Sequence, residues 1–213
     1  MTNFIPLFPL NIVVYPGEQL NLHIFEERYK QLISECFREN KVFGVVPVMK
    51  EAMQEVGTTV LVQSIEKVHP EGEMDIRTEG QRVFKILEQI QDIPDKLYSG
   101  AIVTYPENQE EGVRSKMTRL LAELRRFHSL LEVNKEYKKE DSQLSTYDLA
   151  HHAGLSLEQE YELLLLMQEG QRQEFLERHL RKTIPTIIEL QQLKKRIEMN
   201  GHFRKLSVND GNE

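Results

Sequence analysis

Tryptophan is absent from this chain of 213 residues, and cysteine occurs once, at Cys36. A single cysteine excludes an intrachain disulfide, so no cross-link within the chain can support the fold. The lack of disulfides predicts a reducing, cytoplasmic setting. Long apolar runs are missing too. The longest, Leu163-Leu-Leu-Leu-Met167, falls far short of the roughly 20 residues that span a bilayer. The opening Met-Thr-Asn-Phe has neither the positive charge nor the apolar stretch of a signal peptide. No membrane partner is expected.

An excess of positive charge is also lacking. The formal net charge is -7, and residues 1–107 hold 10 Lys+Arg against 16 Asp+Glu, whereas 108–213 hold 17 against 18. An acidic front half is a poor match for a phosphate backbone, where lysine and arginine supply most of the affinity by displacing counterions. Nucleic acid is therefore a disfavoured partner. Catalytic signatures are missing as well. No glycine precedes a lysine, so there is no Gly-x-x-x-x-Gly-Lys-Ser/Thr phosphate loop. No Gly-x-Ser-x-Gly nucleophile elbow occurs either. Neither a cofactor nor a catalytic residue is predicted.

What the chain does have is patterning. Phe4–Leu10 and Leu20–Phe25 are short apolar runs around a Pro16-Gly17 turn signal, and the second runs into a helix over Glu26–Glu39. Tyr29, Leu32, Ile33, Cys36 and Phe37 share one face of that helix. Val42–Val48, Gly57–Val68, Met74–Thr78, Arg82–Leu87 and Tyr98–Tyr105 read as strands, with a turn at Pro70–Glu73 and a bend or bulge at Gly80. Closely spaced strands with Gly and Pro turns predict a small closed or sandwiched sheet.

Pro106–Gly112 has the composition of a linker, and the apolar period changes from 2 to about 3.6 across it. Beyond it, Met117, Leu120, Leu121, Leu124, Phe127, Leu130 and Leu131 form a helical stripe. Ser145–Asp148 is a capping box opening a short helix that stops at Gly154. Ser156–Gln159 opens another, expected to stop at Gly170. A last helix is predicted from about Gln171 to Asn200, kinked or divided at Pro185 and closed by Asn200-Gly201. The division is thus a β-barrel domain over 1–107, a helical domain over 112–202 and a disordered polar tail over 203–213.

The run Pro6-Leu-Phe-Pro-Leu10, Val13-Val14, Pro16-Gly17, Leu22-His-Ile-Phe-Glu26 and Arg28-Tyr29 resembles the start of the Lon protease N-terminal domain family. Gly57 to Val62 is similar to that family's next strand, and Gly80-Gln-Arg-Val-Phe-Lys-Ile86 to its Gly-x-Arg strand. The resemblance covers roughly residues 3–200. It implies an α+β fold, a PUA-like pseudo-β-barrel with one helix, followed by a helical bundle that ends in a long helix. It implies a domain that binds substrates for degradation. With no phosphate loop and no counterpart of the Ser–Lys dyad region, the chain resembles a stand-alone substrate-binding domain, and proteolysis does not carry over.

Each candidate residue has a plainer reading. Pro16-Gly17 could line a binding surface, but Pro-Gly also makes a turn that sends Leu22, Ile24 and Phe25 into a core. His23, Glu26 and Arg28 sit close together; Glu26 suits the positive end of the helix, and His23 is expected to face solvent. Asp148 and His152 share a helix face beside His151, but a metal site needs three or four ligands. His69, His128, His179 and His202 are scattered singly, so a surface or capping role is expected and no metal is predicted. Cys36 reads as buried packing. Arg125-Arg126 and Lys194-Lys195-Arg196 read as solvated helix faces. Arg77 and Arg82 lie in strands, where they would bind a carboxylate or peptide backbone in the cleft between the halves, or form cross-strand ion pairs.

The function expected is non-enzymatic binding of unfolded or peptide segments of other proteins. Phe25, Tyr29, Arg77 and Arg82 are its candidate contact residues, with the Leu163–Met167 segment beside them. An RNA-binding module, by analogy with other PUA-like barrels, and an uncharacterised hydrolase built from distant residues are the alternatives.

Overall fold

The computed structural model describes the backbone of residues 3–207 and the side chains of 3–197. Strands β1 (Phe4–Leu10) and β2 (Gln19–Ile24) precede helix α1 (Glu27–Glu39). Strands β3 (Phe43–Met49), β4 (Ala52–Met53), β5 (Val56–Val68), β6 (Met74–Ile90) and β7 (Gly100–Thr104) follow. The path β1-β7-β6-β5-β3 closes on itself, because β1 also pairs with β3 in parallel. The other pairings on that path are antiparallel. This is the expected pseudo-barrel, and closure removes the exposed edges of those five strands. β2 and β4 lie off the ring, paired with β6 and β3 respectively.

Met74–Thr78 and Arg82–Leu87 belong to one 17-residue strand, β6. Its register against β5 shifts between Thr58 and Val60, opposite Gly80–Val83, so the irregularity expected at Gly80 is present. The reason is a close approach. Gly80 exchanges backbone hydrogen bonds with the Pro16-Gly17 turn, donating to the Glu18 carbonyl and accepting from Gly17 N–H, both at 2.8 Å. A Cβ at Gly80 would stand 2.1 Å from the Tyr15 carbonyl oxygen. Gly17 itself has φ +79°, which a β-carbon disfavours.

Helix α1 packs Tyr29, Leu32, Ile33 and Cys36 against Phe8, Phe43, Val45, Val60 and Ile76. Phe37, expected on that face, is 44% exposed. It lies at the margin of the stripe, and Asn40 ends the helix in the left-handed conformation just beyond.

The helices that follow are α2 (Arg114–Leu130), α3 (Thr146–Ala150), α4 (Leu157–Leu164) and α5 (Glu169–Ser207). Capping boxes at Ser145/Asp148 and Ser156/Gln159 open α3 and α4 as expected. The α2 stripe packs on Leu176, Leu180 and Ile184 of α5. Leu131 falls outside it, exposed at the C-cap.

Three expectations for this half need correction. The helix opened at Ser156 stops at Leu164, not at Gly170, which lies in the first turn of α5. Glu169 explains the earlier turn. Its buried carboxylate accepts from Thr146 N–H and Oγ1 (2.8 and 2.6 Å), which draws the chain back to α3. Pro185 does not divide α5, which is continuous through it. Ile184, packed against α2, holds the chain there, and only the Arg181 carbonyl, on an exposed residue, loses its helical donor. Asn200-Gly201 does not close α5, whose bounds take in 203–207; residues 208–213 of the expected tail lie outside the described residues.

The two halves share a core. Val13, Tyr15, Val56 and Val83 pack with Tyr147, Ala150, Leu163, Leu164 and Phe175. The linker is stapled as well. Gln109 N–H donates to the Met167 carbonyl at 2.8 Å, and Glu169 N–H donates to the Gln109 carbonyl at 3.0 Å.

Candidate functional site

A cleft of about 410 Å³ lies between the end of β1, β2 and the start of α1. Phe8 and Tyr29 are both buried, and their ring centroids are 4.0 Å apart, giving an aromatic floor. Pro9, Leu10, Leu22 and Ile24 continue the apolar lining. Phe25 stands at the lip, 60% exposed. This corrects the expected alternation of Leu22, Ile24 and Phe25 into a core. Successive residues of an extended chain point to opposite sides, so burying Ile24 turns Phe25 outward. The Arg28 guanidinium lies over the Tyr29 ring at 4.5 Å and pairs with Glu26 at 2.7 Å, forming a charged rim. Leu22, His23 and Ile24 all line the cleft and no residue of β6 does, so the cleft borders the free edge of β2. Among the described strands β6 is the only partner of β2.

Phe25 and Tyr29 are therefore brought together, whereas Arg77 and Arg82 are elsewhere. Arg77 sits across from Glu66 at 3.6 Å, the cross-strand ion pair. Arg82 lies over the Tyr105 ring at 4.6 Å, beside a hollow of about 420 Å³ next to the linker. Leu163 and Leu164 are wholly buried between the halves, and Leu165 alone of that run is exposed. Cys36 is buried as expected, and burial, with Glu35 nearby, pushes its thiol up to about 11, so it is unreactive.

A second groove of about 620 Å³ separates the Pro16–Gln19 turn from residues 135–139 and α3. His151 spans its wall, Nδ1 to Glu160 at 2.8 Å and Nε2 to Glu18 at 3.1 Å. Burial alone would lower its pKa. The hydrogen bonds to Glu160 and Glu18 overcome that and hold it at about 10, so the ring is a cation at neutral pH. His152 is pushed the other way, to about 4, by burial and then by Lys135. Asp148 does not join it. Asp148 caps Ser145 and pairs with Lys139 at 2.6 Å. Asp148 thus serves in the capping box of α3.

His69 is not isolated. It shares Asp75 with His23, each at 2.7 Å, and Asp75 is held below the usual carboxylate range by these hydrogen bonds, that from His23 first. Two signals in the sequence point to this meeting: His23 is the last residue but one of β2, and His69 and Asp75 bracket the Pro70–Glu73 turn. Only the pairing of β2 with β6 joins them.

An apolar cleft thus lies beside an unpaired strand edge, on a closed barrel with a helical annex. The profile of the ATP-dependent protease La (LON) substrate-binding domain matches residues 5–182, and the chain belongs to that family. The Lon N-terminal domain protein from Xanthomonas campestris is similar in structure, with a TM-score of 0.65 and 27% identity over 82% of this chain and 96% of that one. The N-terminal domain of the Mycobacterium avium complex Lon protease shares the fold, with a TM-score of 0.62 at 16% identity over 84% of this chain and 98% of that one. The Lon protease of Cytophaga hutchinsonii is 30% identical over 99 residues, which are 42% of this chain and 12% of that protein. Among the described residues no helix is long and apolar enough to cross a membrane.

Proposed function

We propose that this protein holds unfolded or extended segments of other polypeptides in the cleft beside Phe25 and performs no chemistry on them. The observation that carries this reading is Phe25, 60% exposed above the buried rings of Phe8 and Tyr29. Covering an exposed phenylalanine contributes roughly 1.5–3 kcal/mol, enough to anchor a weak, sequence-tolerant complex. The free edge of β2 offers main-chain donors and acceptors to an incoming strand, which gives affinity with little side-chain specificity. Tyr29 acts as floor. Arg77 and Arg82, committed to Glu66 and Tyr105, are assigned structural roles. A cytoplasmic setting suits the free thiol of Cys36.

The test is fluorescence anisotropy with a permanently unfolded model protein, such as reduced and alkylated lactalbumin. Saturable binding is expected, weakened about tenfold by Phe25→Asp. If the unaltered chain showed no binding above that to a folded control, the proposal would fail.

A further inference from the structure

Three neighbouring strand segments each deliver one metal-ligating side chain to a single point. Asp75 on β6 lies opposite His23 on β2 in register. His69 stands just past the end of β5, where the hairpin is fixed by His69 N–H donating to Glu73 (2.8 Å) and Gly72 N–H donating to His69 (2.9 Å). The Asp75 carboxylate sits between the two imidazoles, Oδ1 at 2.7 Å from His23 Nδ1 and Oδ2 at 2.7 Å from His69 Nε2. The donor atoms all lie within 4.8 Å of one another, the one such group among the described residues. Behind them, Glu73 Oε2 is 3.3 Å from the other ring nitrogen of His23.

We propose that His23 Nδ1, His69 Nε2 and the Asp75 carboxylate bind one divalent late first-row metal ion, with Zn²⁺ the expected occupant and Glu73 orienting His23. Two imidazoles and a carboxylate suit Zn²⁺, Co²⁺ or Ni²⁺, whereas Ca²⁺ and Mg²⁺ favour all-oxygen shells. Three protein ligands leave a fourth tetrahedral position for water. Glu73 accepts the remaining N–H of His23, the arrangement that fixes the tautomer of metal-bound histidines. Tetrahedral coordination needs donors about 3.3 Å apart, so the present 2.7 Å hydrogen bonds must open by about 0.6 Å. Side chains as exposed as these (48%, 26% and 42%) have room for that. The fold does not need the cluster. Ile24, Met74 and Ile76 beneath it are buried and anchor both strands, while exposed pairs contribute little.

The test is titration of the tag-free, chelator-stripped full chain with Co²⁺, followed by absorbance and calorimetry. One equivalent is expected to bind with the visible bands of a four-coordinate site, and Zn²⁺ should displace it. His23→Asn and His69→Asn should each weaken binding more than tenfold, and Glu73→Gln about tenfold, with thermal melts unchanged. His69 does not line the polypeptide cleft, so His69→Asn should lose the metal and keep polypeptide binding, which separates the two sites. No saturable uptake of Co²⁺ or Zn²⁺ below about 1 mM, or uptake undiminished in the double variant His23→Asn/His69→Asn, overturns the assignment.

Discussion

The Tyr15 hydroxyl donates to the backbone carbonyl of Glu160 at 2.9 Å, joining the approach to β2 with α4 across 145 residues. Tyr15 is fully buried and stacks on Tyr147, with ring centroids 5.1 Å apart. His151 packs against the same ring and ties Glu18 to Glu160. Barrel and helices are therefore joined by a polar clasp around an aromatic pair.

That clasp makes stability depend on pH. The folded chain holds a proton on His151 up to about pH 10, whereas an unfolded histidine releases it near pH 6.5. The contribution is complete below about 6.5, drains as pH rises towards 10 and is absent above. With the side chain part-exposed, a loss of about 2 kcal/mol is expected across that window. His152 has the opposite sign. Its folded pKa is depressed to about 4, so stability falls as pH drops from about 6.5 towards 4. Urea midpoints measured from pH 4 to 10 should peak near 6.5, and His151→Gln should flatten chiefly the alkaline limb.

Gly80→Ala should be severely destabilising. The added methyl meets backbone, the Tyr15 carbonyl oxygen at 2.1 Å, not a side chain that can swing away. Either the Pro16-Gly17 turn detaches or β6 shifts register. A cost of about 3 kcal/mol or more is expected by chemical denaturation. A loss below about 0.5 kcal/mol would show that the turn is not pinned to β6.

Arg172 is wholly buried and pairs with the equally buried Glu169 at 2.9 Å. It also donates to Asn108 Oδ1, Leu166 O and Gln109 O, and lies over the Tyr147 ring. Arg172→Ala leaves the buried Glu169 carboxylate without its counter-charge and takes one donor from each of three oxygens, at a cost of about 3–5 kcal/mol. Arg172→Ala/Glu169→Ala should cost clearly less than the sum of the single changes, which a double-mutant cycle measures.

Phe25 and Tyr29 share the cleft but should respond differently. Phe25→Ala should leave the denaturation midpoint within about 0.5 kcal/mol of the unaltered chain, because little burial is lost. Tyr29→Ala removes the floor of the cleft and a core contact of α1, costing about 3–5 kcal/mol. If Phe25→Ala destabilised as much as Tyr29→Ala, the exposed lip would not exist in solution.

Patterns acting over a few residues were legible. The Pro16-Gly17 turn, the irregularity at Gly80, the buried face of α1 and both capping boxes follow from steric and hydrogen-bonding rules between near neighbours. Arg172 was not legible as a buried residue, because a charged side chain is buried only where partners from the linker, α3 and the α4–α5 turn converge. Gly170 misled for a related reason, since the long-range demand of Glu169 outweighed its local preference to end a helix. Phe25 was misplaced because its hydrophobicity outweighed the alternation that turns it to the side opposite Ile24.

The sequence alone determined a β-rich front half with one amphipathic helix, a helical second half, and a family likeness carried by a motif of near neighbours. Only the tertiary structure decided where chemistry-bearing side chains meet: His23 with His69, His151 between two glutamates, Phe25 above Tyr29. Those meetings depend on strand register and on how the two halves pack. These are set by many weak contacts between distant residues, which leave no periodic trace in the chain.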